Sequence, residues 1–226
     1  MLGRRSTGEE GLIVNILGVG VGRQTVVVNK GEFTSMVEPL TEGVFVLYRG
    51  LGLPHLQEAE IGCYFASLKG EYSRLKSALK IADMVNRYTV EGVPVPGIYR
   101  LLHDVLDALG RQDADVKGLE LLFKWLLVRE MGYRPVLNRC ARCGGELGVG
   151  RVFAFSVEDG GIICRECRKG VVFEMLGIEE VKVLDFILSA RDIYVASRLR
   201  ISSSVMYELS ELANRYIDFY MGNKGG

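Results

Sequence analysis

The chain has 226 residues, with 28 Lys plus Arg against 28 Asp plus Glu, and 48% of its residues are hydrophobic. That length suits one large domain or two to three small ones with enough apolar material for a packed core. The balanced charge excludes the overall basicity of a dedicated nucleic-acid binder, so any such site must come from local clustering, and no run of about 18 uncharged apolar residues is present to span a membrane.

The opening segment MLGRRSTGEE has no apolar stretch behind its arginines and does not read as a signal peptide, so a cytoplasmic location is expected. Residues 11–50 read as β: GLIVNILGVGVG and RQTVVVNKGEF are rich in Val and Ile and broken by glycines, and a turn at Glu42-Gly43 precedes a strand from Val44 to Tyr48. Short strands with Gly-rich joints suit a small barrel.

At Leu53-Pro54 the pattern changes. From Leu56 to about Tyr88 the apolar residues fall at helical spacing, with Gly70 separating two helices and Cys63 on an apolar face as a core residue. Val93-Pro94-Val95-Pro96 is a connector, and Tyr99 to Leu109 is an amphipathic helix that stops at Gly110. Asp113 or Asp115 caps a long helix that runs to Met131, ends at Gly132 and carries Phe123 and Trp125 into the core. Residues 137–173 are rich in Cys, Gly and Arg, and Ile178–Ser189 and Ser204–Tyr220 again show helical periodicity.

The sharpest signal is Cys140-x2-Cys143, then twenty residues, then Cys164-x2-Cys167. Two residues between thiolates let a tight turn present both sulfurs to one ion, and two such knuckles joined by a hairpin complete a tetrahedron. Gly144-Gly145 supplies the positive φ that a chain wrapping a metal needs, and Arg151–Ser156 and Gly161–Ile163 read as the intervening strands. A closed set of four thiolates leaves no open coordination position, so a structural zinc site is expected, with iron the rival ion and a redox dithiol the weaker reading.

Gly18-Val19-Gly20-Val21-Gly22 is not a dinucleotide loop, because position 23 is Arg and no helix follows. No Walker A sequence is present, and His55 and His103 stand alone, so no catalytic constellation can be assembled and no enzyme activity is expected. Around the cysteines, Arg134, Arg139, Arg142, Arg151, Arg165, Arg168 and Lys169 outnumber Glu146, Glu158, Asp159 and Glu166. In the β module the basic and acidic residues cancel.

The order of these parts carries a resemblance. Val44-Phe45-Val46-Leu47-Tyr48-Arg49-Gly50 is followed by Leu56-Gln57-Glu58-Ala59-Glu60, then by the helix around Leu121–Leu127. Met131-Gly132-Tyr133-Arg134-Pro135-Val136-Leu137-Asn138-Arg139-Cys140 and the remaining cysteines complete the series. From about Gly11 to about Tyr220 the chain resembles the bacterial RecO family of recombination mediators. The resemblance implies an OB-fold, a helical domain and a four-Cys zinc motif. It also implies binding of single-stranded and duplex DNA, annealing of complementary strands, and loading of RecA with RecR and the single-strand-binding protein as partners. Against the family pattern, two strands that precede the segment matching Glu10-Gly11-Leu12-Ile13 are missing, so an incomplete barrel with an open edge is expected. The usual basic stretch is cut to Gly22-Arg23-Gln24 and the basic tail to Asn223-Lys224.

The expectation is therefore an α+β protein: an OB-like β module at 1–52, a helical domain at 53–136, a zinc ribbon at 137–173 and closing helices at 174–226. Arg23, Lys30 and Arg49 on the β module and Arg142, Arg151, Arg165 and Arg168 on the ribbon are the candidate phosphate contacts. The alternative is a protein–protein adaptor that binds the acidic tail of the single-strand-binding protein and has little DNA affinity of its own.

Overall fold

The computed structural model describes residues 1–6, 11–29, 31, 33–148 and 150–222, and of Lys69 only the backbone. The chain divides into two compact units, Met1–Val116 and Lys117–Gly226.

In the first unit, β2 (Gly11–Gly18) and β3 (Gly22–Asn29) form a hairpin. Their alternation puts Leu12 opposite Val28 and Val14 opposite Val26, and these residues, with Ile16, Val37 and Leu56, form a buried cluster. Gly22 closes the turn at φ 69°, and a Cβ there would collide with the backbone of Val93, so this position needs glycine twice over. The remaining strands are β1 (Gly3–Ser6), β4 (Glu42–Tyr48) and β5 (His55–Cys63), giving the order β1-β2-β3-β5-β4. β3 and β5 run parallel, with the Val27 N–H donating to the Pro54 carbonyl at 2.8 Å. The Leu40 N–H donates to the Met1 carbonyl at 3.0 Å, which brings the approach to β4 against the start of β1.

Two expectations about this module are corrected. One strand, β1, does precede Gly11, so the sheet has five strands among the described residues, although β1 and β4 stand at the two ends of the strand order, as an open edge requires. Residues 55–63, expected as helix, are β5, and the sheet continues beyond residue 52. The cause is a bulge. Leu47 faces Leu56 and Phe45 faces Ala59, with the register shifting between Val46 and Leu47. Leu56 and Ala59 thus share a face although they are three residues apart, a spacing that mimics a helix. Cys63 accordingly ends a strand, half-buried, and accepts a hydrogen bond from the Phe65 N–H at 3.3 Å.

Three helices complete the unit: α1 (Ala66–Lys69), α2 (Tyr72–Tyr88) and α3 (Pro96–Leu109). Gly70 separates the first two, and Pro96 opens the third, where its missing N–H is no loss. α3 buries Ile98, Leu101, Leu102, Val105, Leu106 and Leu109 on one stripe. His103, on its exposed side, is not alone: Nε2 lies 3.5 Å from Glu42.

All but the first residue of α4 (Val116–Glu130) belongs to the second unit, and ten of the helix's residues are buried, matching its near-continuous apolar sequence. Trp125 is fully buried, and its indole N–H donates to the Leu209 carbonyl at 3.2 Å. Buried Lys124 donates to Asn214 at 2.8 Å. A three-stranded sheet in the order β7-β6-β8 follows, made of β6 (Val152–Ser156), β7 (Gly161–Ile163) and β8 (Glu174–Gly177). The last elements are α5 (Ile178–Ser189), α6 (Ile193–Ala196) and α7 (Ser203–Met221). Asp192 and Ser202 cap α6 and α7 through their side chains. No helix among the described residues is long and apolar enough to cross a membrane.

Candidate metal centre and charged groove

The first knuckle is built by backbone stitching. The Val136 N–H donates to the Gly160 carbonyl, and the Ile162 N–H returns to the Val136 carbonyl, both at 2.9 Å. The Ala141 N–H donates to the Ile162 carbonyl at 2.7 Å. Within the knuckle, the Gly144 N–H donates to the Cys140 carbonyl at 2.9 Å and Gly144 takes φ 74°, the tight turn that its sequence suggests. The second knuckle leaves β7 directly, and a 3₁₀ turn at Glu166–Arg168 carries its second cysteine, Cys167.

This stitching brings Cys140, Cys143, Cys164 and Cys167 together, with their sulfurs all within 4.8 Å of one another. The Cys143 and Cys164 sulfurs are 3.9 Å apart. A tetrahedron of thiolates at zinc-like bond lengths needs sulfurs roughly 3.8 Å apart, so the donor set fits one four-coordinate metal ion. Cys140 is buried beside Ala154 and Ile163, whereas Cys143 is exposed.

The electrostatics of Cys140 and Cys167 point the same way. Burial opposes ionisation of Cys140, but N–H groups of Cys143, Cys164 and Arg142 and the Cys143 side chain outweigh it and bring its pKa down to about 6. Cys167 is pushed up to about 12, first by its hydrogen bond with Cys164, then by burial and by Cys143 and Cys140. Thiolates this close repel one another, and a cation at their centre removes that repulsion. On the same hairpin, Asp159 receives Arg142 Nε at 2.8 Å. Burial raises the Asp159 pKa, but Arg142 and Ser156 outweigh it and hold the carboxyl below its ordinary range.

The candidate phosphate contacts fare unequally. Arg23 on β3 donates to the Thr89 carbonyl at 3.1 Å and lies 3.6 Å from Glu91. Arg49 is exposed and donates to Gln24. Lys30 lies outside the described residues. On the ribbon, Arg142 is committed to Asp159, Arg151 and Arg165 are exposed, and Arg168 sits with its guanidinium 5.7 Å above the Phe173 ring.

Sequence reasoning missed a polar groove in the first unit. It is lined by Arg4, Arg5, Asn15, Arg23, Thr25 and Asn86, among others. Arg4 pairs with Glu38 at 2.9 Å, and Arg5 is exposed. In the sequence, Arg4 and Arg5 are cancelled by nearby acids; only the pairing of Arg5 with Ile13 and Arg4 with Val14 sets them beside β2 and β3. The same unit holds an apolar cleft of about 220 Å³, whose lining includes Leu17, Val19, Phe45, Phe65, Leu102 and Leu106.

The family model described as recombination protein O, C terminal, matches residues 70–225. A DNA repair protein RecO of Desulforamulus reducens is 26% identical, over 99% of this chain and 88% of its own length. One of Exiguobacterium sibiricum is 24% identical, over 95% of this chain and 87% of its own length. One of Pelobacter propionicus is 35% identical over 116 residues, 51% of this chain and 46% of its own length.

Proposed function

Since the chain belongs to the RecO family, we propose that it acts in DNA repair as a recombination mediator that binds single-stranded and duplex DNA, anneals complementary strands and assists RecA loading with RecR and the single-strand-binding protein. The match over residues 70–225 carries the reading. The cytoplasm is its place of work, and no catalytic residue is assigned. Annealing needs no covalent chemistry, only relief of phosphate repulsion while two strands are held close.

Two features of the chain support the DNA-binding part. The strand order β1-β2-β3-β5-β4, with its parallel β3–β5 pair and the meeting of Met1 with Leu40, suits an OB-like barrel. The groove with Arg4, Arg5 and Arg23 lies beside β2 and β3, the strands that bind oligonucleotides in that fold. The four cysteines hold a structural zinc ion, which ties the two knuckles together and does no chemistry of its own.

Arg5→Glu combined with Arg23→Glu tests the groove. Affinity for a fluorescent single-stranded oligonucleotide is expected to fall about tenfold at low salt, with the salt slope reduced by roughly 0.7 for each phosphate no longer neutralised. Annealing of a complementary strand should slow in parallel. Unchanged binding and slope in the double variant would remove the groove from the DNA path.

The apolar cleft in the first unit favours a second reading, an adaptor with weak DNA affinity that captures the acidic tail of the single-strand-binding protein. A labelled tail peptide that binds while the oligonucleotide does not at low salt would select it.

A further inference from the structure

The ribbon carries an exposed apolar face that its fold does not use. Val172 is 79% exposed, Val152 51%, Met175 48% and Phe173 39%. In the β6–β8 pairing Ala154 faces Met175 and Val152 faces Gly177, so Val152 and Met175 are diagonal neighbours on one side of the sheet. On that same side Ala154 and Ile163 pack under the cysteine knuckles. Four large apolar side chains left in water beside a small packed core mark a contact surface rather than a folding remnant.

The surrounding charge is basic at the Phe173 end, while at the other end the Glu180 carboxylate fills the space beside Gly177, opposite Val152. Arg168 places its guanidinium over the Phe173 ring, and its buried Nε has no hydrogen-bond partner. Arg151 precedes Val152, and Lys169 lies between Arg168 and Val172; both are exposed. Glu174, the acid nearest Phe173 in the chain, is engaged by Arg215 of α7. A surface that pairs an aromatic ring with arginine presents flat faces for stacking, and bases stack on both Phe rings and guanidinium planes whatever their sequence. Arginine forks pair with phosphate. An added peptide strand fits less well, because β8 is only four residues long and offers little edge backbone to pair with.

We propose that the ribbon face of Val152, Val172, Phe173 and Met175, with Arg168 stacked on Phe173, is a contact surface for single-stranded DNA separate from the groove of the first unit. Bases stack on Phe173 and its arginine, the aliphatic side chains cover the sugars, and Arg151 and Lys169 meet the phosphates. It rests on the DNA-binding reading of the chain and assigns that activity a site in each unit.

The test uses the full-length, metal-loaded protein and an oligonucleotide containing 5-iodouracil. Irradiation is expected to cross-link it within residues 172–175 as well as in the first unit. Phe173→Ser and Val172→Ser should weaken binding about five- to tenfold and abolish the ribbon cross-link, with metal content unchanged. Val172 is the safer substitution, since it lies outside the strands and the buried core. Cross-links confined to the first unit, with both variants binding like wild type, overturn the ribbon surface and leave the groove standing. Absence of binding by the wild-type protein at low salt overturns both. An acidic peptide that labels residues 172–175 while the oligonucleotide does not assigns the face to a protein partner and also overturns the proposal.

Discussion

Stripping the metal with a strong chelator is expected to lower the melting temperature of the second unit by roughly 40 °C or more, enough to leave the ribbon unfolded at room temperature. Zinc sites of this kind carry on the order of 10 kcal/mol of apparent binding free energy, and that free energy is folding free energy wherever the site does not exist in the unfolded chain. The ribbon fits that condition. Its own buried cluster consists of Cys140, Ala154 and Ile163, with Leu147, Cys164, Cys167 and Val171 packed partly against it. Three of these seven residues are among the four ligands, so little apolar burial remains when the ion leaves. Cys140→Ser should behave like chelation, since Cys140 is the buried ligand and also accepts the Cys164 N–H at 3.3 Å. Thermal melts with and without chelator, read beside metal content, decide the matter. A melt that stays put after the metal is shown to be gone removes the structural role.

How much of the fold is legible in the sequence depends on the range of the interactions involved. The cysteine knuckles, the helix breaks at Gly70 and Gly110 and the buried α4 are set by residues within a few positions of one another, and they are visible in the sequence. Strand β5 is hidden because its bulge at Gln57 is defined by partners on β4, and without those partners Leu56 and Ala59 look helical. Strand β8 is too short to show a period, and β1 carries two arginines where a strand usually carries apolar residues. Charge is least legible. By sequence Arg23 and Arg142 look available for phosphate, yet each meets an acid far along the chain, Glu91 and Asp159. Arg5 looks cancelled by Glu9 and Glu10, yet it lines a polar groove. Counting charges by sequence window cannot find such pairings.

Gly161→Ala is expected to cost roughly 2–4 kcal/mol and to weaken metal retention, although Gly161 is no ligand. A Cβ at this position would overlap the carbonyl oxygen, carbonyl carbon and nitrogen of Val136, all of them backbone atoms with no rotamer to yield. Val136 is where the chain entering the first knuckle docks on β7, giving its N–H to Gly160 and receiving that of Ile162. To make room for the methyl group, Val136 must move, and those two hydrogen bonds lengthen or break. Cys140 lies four residues on, and its sulfur must meet those of Cys164 and Cys167 to within a few tenths of an ångström for four good bonds to one ion. The displacement is therefore transmitted to the tetrahedron. Gly148→Ala is the matched control: a Cβ there meets nothing within 4 Å, so its effect should stay within about 0.5 kcal/mol. Denaturant melts and competition with a colorimetric chelator measure the two consequences separately. Equal stability and equal metal retention in the two variants would mean that the Val136–Gly161 bridge does not set the geometry of the site.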